Sequence, residues 1–155
     1  MTTPSVRATR AVALFESGCA CSQAVFTAYS DLFGIDEATA LRLSCGLGAG
    51  VGRLQNVCGV VSAMAMLAGL KYGSPTPGDA EAKRITYEQV QRMAQAFREK
   101  HGSLICRDLL GLEEEDACAT PSERTAAYYA ARPCAGFVAD AAELIEQLLL
   151  DEKPA

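Results

Sequence analysis

The sequence predicts a single all-α domain, a compact bundle of several helices. Three observations predict it. Almost every segment carries apolar residues at helical spacing, and none sustains the alternation of a strand. Glycine, proline and small polar residues fall between those segments, where helices stop and start. With 155 residues, 50% of them hydrophobic and 21% charged, the chain can bury one core and is too apolar to stay disordered. No repeat, low-complexity tract or long linker divides it. Residues 1–155 are therefore read as one domain, with 1–5 and 151–155 as frayed ends.

The first helix runs from about Val6 to Glu16, with Val12, Leu14 and Phe15 as apolar contacts, and Gly18 breaks it. The second covers about Cys21 to Phe33, where Ala24, Val25, Ala28 and Leu32 share a face and Gly34 supplies the C-cap. Asp36 caps a third helix, Glu37 to about Cys45, with Leu41 facing inward. After the glycine-dense stretch Gly46 to Gly52, a fourth helix begins near Val57 and stops at Tyr72, before Gly73, Pro75 and Pro77. Asp79 opens a long amphipathic helix that ends at His101 and Gly102. Ser103 caps a short helix, Leu104 to Leu110, closed by Gly111. An acidic loop, Glu113 to Asp116, and a turn at Pro121 follow. The last helix starts at Pro133, a residue suited to a first helical turn, and reaches about Leu150.

Composition narrows the function. A net charge of −5 and the lack of any Lys/Arg run exclude nucleic acid as a partner. The longest apolar run, Val57 to Leu70, is too short to span a bilayer and is interrupted by glycines, so membrane insertion is not expected. The N-terminal stretch lacks the apolar core of a signal peptide. The expected setting is the cytoplasm, where cysteines stay reduced unless they bind metal or do redox work.

That setting gives the seven cysteines their interest. Cys21, Cys58, Cys106 and Cys134 fall at the starts of four predicted helices. Free N–H groups and the positive dipole end favour an anion there, so each thiol is expected to ionise readily. Cys19 stands two positions before Cys21, as a resolving thiol or an extra ligand. Cys45, at a helix end, and Cys118, after the acidic loop, are read as structural or incidental. No CxxC is present, which excludes a thioredoxin-type dithiol and a zinc ribbon. Any joint site is assembled by the fold. Four converging thiolates could hold zinc or an iron–sulfur cluster, and the same four could form two disulfides; spacing does not choose.

Other signals are weaker. The run Gly46-Leu47-Gly48-Ala49-Gly50-Val51-Gly52 is not a dinucleotide fingerprint, because Val51 stands where the third glycine belongs and no strand precedes it. Its glycines instead let backbone approach a compact site, making Gly48, Gly50, Gly59 and the neighbouring Arg53 candidates for cofactor contacts. His101, the sole histidine, ends a helix where a cation suits the dipole, and nothing near it resembles a nucleophile motif. Met64 and Met66 are read as packing, and Tyr128 and Tyr129 as packing or as the lining of an access route.

Several of these residues together carry a family resemblance. Cys21-Ser22-Gln23-Ala24-Val25 resembles the CxQAV-type opening of the redox-active C_GCAxxG_C_C family. The glycine loop with Arg53 and Cys58-Gly59, then Leu70-Lys71-Tyr72-Gly73, is similar to its central motif. Cys106-Arg107-Asp108-Leu109-Leu110-Gly111 resembles its third segment, and Cys134 with the closing helix its fourth. The resemblance implies that Cys21, Cys58, Cys106 and Cys134 are the defining cysteines. Val57-Cys58-Gly59-Val60-Val61-Ser62-Ala63 departs from the family label. Read literally, the label places glycine at Val57 and Ser62 and alanine at Gly59; a CGAxxG register places alanine at Val60 and glycine at Ala63.

The functional expectation is thiol-based redox or electron transfer at those four cysteines, as catalytic thiols or as metal ligands. In a dithiol version Cys58 attacks a disulfide and another cysteine resolves it. In a cluster version all four bind the cluster, which carries one electron. The expected partner is a redox protein or a small thiol or disulfide, and a homodimer is the commonest form of self-association. The alternatives are a non-catalytic structural zinc or metal-carrier protein using the same ligands, and a helical interaction module whose cysteines fill the core.

Overall fold

The computed structural model describes residues 3–113 and 118–150. Of the acidic loop, 114–116 lie outside the described residues, as do 1–2 and 151–155 of the expected frayed ends. The chain is all-α: α1 Val6–Glu16, α2 Cys21–Ser30, α3 Glu37–Cys45, α4 Gly59–Tyr72, α5 Ala80–His101, α6 Cys106–Leu110, α7 Ala126–Ala131 and α8 Cys134–Leu144. A 3₁₀ turn, Asp31–Phe33, extends α2, and a π-helical stretch, Ile145–Leu150, extends α8. No strand occurs among the described residues. No helix among them is long and apolar enough to cross a membrane.

Local chemistry sets most boundaries where the sequence places them. Ser5, Asp36, Asp79 and Thr125 accept the N–H of Ala8, Thr39, Ala82 and Tyr128, capping α1, α3, α5 and α7. Gly34, at φ 80°, ends the extension of α2 in the left-handed conformation. Around these ends the hydrophobic pattern does the rest. Helix α2 is apolar on nearly every side and runs through the middle of the molecule against α1, α3, α4 and α8. Ala24, Val25, Phe26, Ala28 and Tyr29 are buried there, packed with Val60, Met64 and Leu67 of α4 and with Val138 and Ala142 of α8 in one core. The Tyr29 hydroxyl donates to Ala142 O and Glu146, so the largest buried side chain leaves no polar atom unmatched. Met64 is core and Met66 packs against it.

Three boundaries differ from expectation, and one cause explains two. Val57 and Ile105 form an isolated antiparallel bridge, with Cys58 N–H donating to Leu104 O (2.8 Å) and Cys106 N–H to Asn56 O (2.6 Å). That extended pairing holds Val57 and Leu104 out of the helices they were expected to start. Helix α4 therefore begins at Gly59 with Cys58 as its cap, and α6 at Cys106 after Ile105. The Ser103 hydroxyl accepts the Ile105 N–H and donates to Asp108, bracing the turn before α6. The third is α8, which begins at Cys134 with Pro133 as its cap and not its first residue, and α7 is six residues that the sequence pattern does not predict. On α3, the inward residues are Ala40 and Ser44, and Leu41 is only half-buried.

Candidate functional site

The starts of α2, α4, α6 and α8 meet at one cavity of about 480 Å³. Its wall carries Cys21, Cys58, Cys106, Cys134 and also Cys45, which sequence reasoning had set aside. Cys21, Cys106 and Cys134 are the first residues of their helices, and Cys58 is the cap of α4. The bridge described above ties the backbones of Cys58 and Cys106 together. Gln23 fixes the start of α2: its side-chain carbonyl accepts the Ala20 N–H and its amide donates to Leu41 O of α3, both at 2.9 Å. Cys58 and Cys106 are buried, Cys21 and Cys134 are half-buried, and Cys45 is exposed.

These four thiols are not equivalent. The Cys58 thiol and the backbone N–H groups of Ala49, Ser22 and Gly59 all favour the thiolate of Cys21. Cys58 contributes most, and together they outweigh burial and draw the Cys21 thiol down to about 7. Cys58 moves the opposite way, because its proton is held between the two sulfurs and because burial and the Cys21 charge both oppose a second thiolate. Burial, then repulsion from Cys21, pushes Cys106 and Cys134 up to about 11, with Arg132 opposing in both cases. The expectation that helix position makes every one of the four acidic is thus corrected. Cys21 lies below its ordinary value, and Cys58, Cys106 and Cys134 lie above theirs.

Two glycine features make this arrangement possible. A Cβ on Gly59 would lie 2.6 Å from Cys21 Sγ and 3.0 Å from Ser22 N, so only glycine lets α4 start against the sulfur. Gly50 has φ 71°, and a Cβ there would lie 2.5 Å from Asn56 N. It sits within a run of positive φ, with Ala49, Val51, Gly52 and Arg53 at 51°, 69°, 55° and 63°. The loop closes on itself through Gln55 N–H to Ala49 O (3.0 Å) and Asn56 N–H to Gly50 O (2.9 Å). Through this coil Ala49 turns its N–H toward Cys21. Gly48 packs at the α2 start, where a Cβ would come 2.8 Å from Ala20 Cβ.

Basic and aromatic side chains complete the wall. Arg53 lines the cavity and donates to Cys118 O. Arg124 donates to Phe15 O and Cys19 O. Its guanidinium and that of Arg132 flank Tyr128, 4.8 and 4.7 Å from the ring centroid. Sequence reasoning singled out neither Arg124 nor Arg132; the one available signal was Arg132 standing two residues before Cys134. Tyr128 lines the cavity, whereas Tyr129 packs edge-on against Phe15 and donates to Phe15 O and Glu16 O. Cys19 packs against the core and Cys118 is exposed, both off the cavity wall. His101 lies elsewhere, against Phe97 and Phe137 with Nε2 2.9 Å from Asp140.

A family model described as "Putative redox-active protein (C_GCAxxG_C_C)" matches residues 19–148. The chain belongs to the C_GCAxxG_C_C family. No curated protein and no solved structure matches it. The C_GCAxxG_C_C match takes in all five cysteines of the cavity wall. A bound metal or cluster would need three or more ligands brought together. Among the described residues no three Cys, His, Asp or Glu side chains are so placed. In this C_GCAxxG_C_C protein Cys21, Cys58, Cys106 and Cys134 share one cavity wall, and Cys58 has the largest influence on Cys21.

Proposed function

We propose that the protein is a thiol–disulfide oxidoreductase in which Cys21 attacks and Cys58 resolves. The observation that carries this reading is the Cys21 sulfur seated against the start of α4, where a Cβ on Gly59 would lie 2.6 Å from it, in one cavity with Cys58, which with nearby backbone N–H groups draws Cys21 down to about 7. Near neutral pH such a sulfur is about half thiolate and still strongly nucleophilic, close to the optimum for exchange.

The Cys21 thiolate attacks one sulfur of a disulfide RS–SR. The S–S bond breaks, RS⁻ leaves and takes a proton from solvent, and Cys21 is held as the mixed disulfide. Its negative charge is then gone, and with it two of the three main causes that keep Cys58 protonated. Cys58 loses its proton to solvent and attacks Cys21 Sγ, a second RS⁻ leaves, and a Cys21–Cys58 disulfide remains. The substrate gains two electrons and two protons, and the protein dithiol gives them up. A low-molecular-weight thiol or a protein dithiol reverses the sequence. The sequence-based assignment of attack to Cys58 is replaced: as cap of α4 it is buried and donates its proton toward Cys21.

Trapping tests the roles. Reduced Cys58→Ser protein given oxidised glutathione is expected to stop as a mixed disulfide on Cys21, located by peptide mass mapping. Cys21→Ser should lose the fast reaction by tenfold or more. A mixed disulfide on another cysteine, or stoichiometric iron or zinc in anaerobically purified protein, would overturn the assignment.

A further inference from the structure

The cavity is basic in an acidic protein. The chain carries a net charge of −5, yet the charged side chains on the described cavity wall are Arg53, Arg124 and Arg132, with no Asp, Glu or Lys among them. Arg53 turns to the Cys118 carbonyl, so the argument rests on the other two. Arg124 is steadied by the carbonyls of Phe15 and Cys19 and by the Tyr128 ring, and Arg132 by the Tyr128 ring as well. Neither pairs with a carboxylate among the described residues, unlike Arg7, Arg10 and Arg84, which pair with Asp31, Glu37 and Glu81. Two half-buried guanidinium groups thus share one cavity wall with Cys21, with no carboxylate among the described residues of that wall.

We propose that the cavity selects small disulfides whose flanks carry carboxylates, with Arg124 and Arg132 receiving the carboxylate while a disulfide sulfur meets Cys21. This rests on the thiol–disulfide reading and names its substrate class. Guanidinium groups held on an aromatic face are suited to planar, two-pronged recognition of a carboxylate. About 480 Å³ suits a small molecule.

A charge series tests it. Rates are measured at low ionic strength with dithiodiglycolate (anionic), bis(2-hydroxyethyl) disulfide (neutral) and cystamine (cationic), each divided by its rate with a free thiol. The anionic-to-cationic ratio should be on the order of tenfold or more, and collapse near 1 M salt. It should fall toward unity in Arg132→Gln and be largely kept in Arg132→Lys. Using a ratio cancels any change in thiolate fraction. A second arm needs no exchange chemistry: 3,3′-thiodipropionate, a thioether dicarboxylate, should bind Cys21→Ser protein and bind several-fold more weakly once Arg132→Gln is added. Equal normalised rates overturn the substrate class and leave the redox reading standing, as does reaction with protein disulfides alone. Arginine-dependent binding of the thioether without any disulfide exchange supports the anion site and overturns the redox reading.

Discussion

At the scale of the residue, the contest at the cysteines is between a helix end and burial. A helix dipole contributes about 0.3–1 kcal/mol to a nearby charge, less than the roughly 1.4 kcal/mol of one pKa unit. Burial opposes the thiolate by more than that, so position at a helix start cannot by itself make a cysteine acidic. Cys21 prevails because the Cys58 thiol and three backbone N–H groups favour its charged form; Cys106 and Cys134, at equivalent positions, have no such set and rise to about 11. The positions of all four were legible from caps and breakers. Their ionisation was not, since it depends on which donors the fold brings to each sulfur. Gly59 is the most exacting neighbour. Gly59→Ala, the residue the literal family label places there, should cost about 1–3 kcal/mol in urea unfolding, because the added methyl meets Cys21 Sγ at 2.6 Å. A variant as stable as the parent would show that α4 can retreat from the sulfur.

At the scale of the element, the loop between α3 and α4 stores strain for the site. A β-branched residue at positive φ is rare and costly, and Val51 stands at 69°. Val51→Gly should therefore raise stability by about 1 kcal/mol, read as a higher urea midpoint. A lower midpoint would mean that Val51 packs more than it strains. The glycine density of this loop was plain in the sequence, but the left-handed path through Ala49, Val51 and Arg53 was not, because none of them is a residue that prefers it. The bridge between Val57 and Ile105 was equally hidden: two residues pairing across 48 positions leave no local pattern. Helix α7 was missed because six residues, Ala-Ala-Tyr-Tyr-Ala-Ala, are too few to display a period, although Thr125 does cap them. The long α5, with Asp79 before it and Gly102 after it, was readable in full.

At the scale of the whole molecule, the all-α fold was legible because helical period, caps and breakers agreed along the chain. The cavity was not, since it exists only where four distant helix starts converge. Its thiols give the folded state a characteristic pH response. Cys21 lies below its ordinary value of 9.0, so its contribution to stability is full above pH 9 and is lost as pH falls through about 7. Cys106 and Cys134 lie above theirs, so folding is penalised as pH rises from 9 through about 11. Reduced protein should gain stability between pH 7 and 9 and lose it above, and Cys21→Ser should lack the gain; equal slopes in the two proteins would count against a Cys21 thiolate. The most direct test of the central claim is site-resolved alkylation of the reduced protein with iodoacetamide across pH 5–10, each cysteine followed by mass spectrometry. Cys21 should titrate near 7, ahead of Cys58, Cys106 and Cys134. It should move toward 9 in Cys58→Ala, and less in Cys58→Ser, which keeps a hydroxyl donor. Titration of Cys21 near 9 in the parent protein, or of Cys58 before it, would contradict the account.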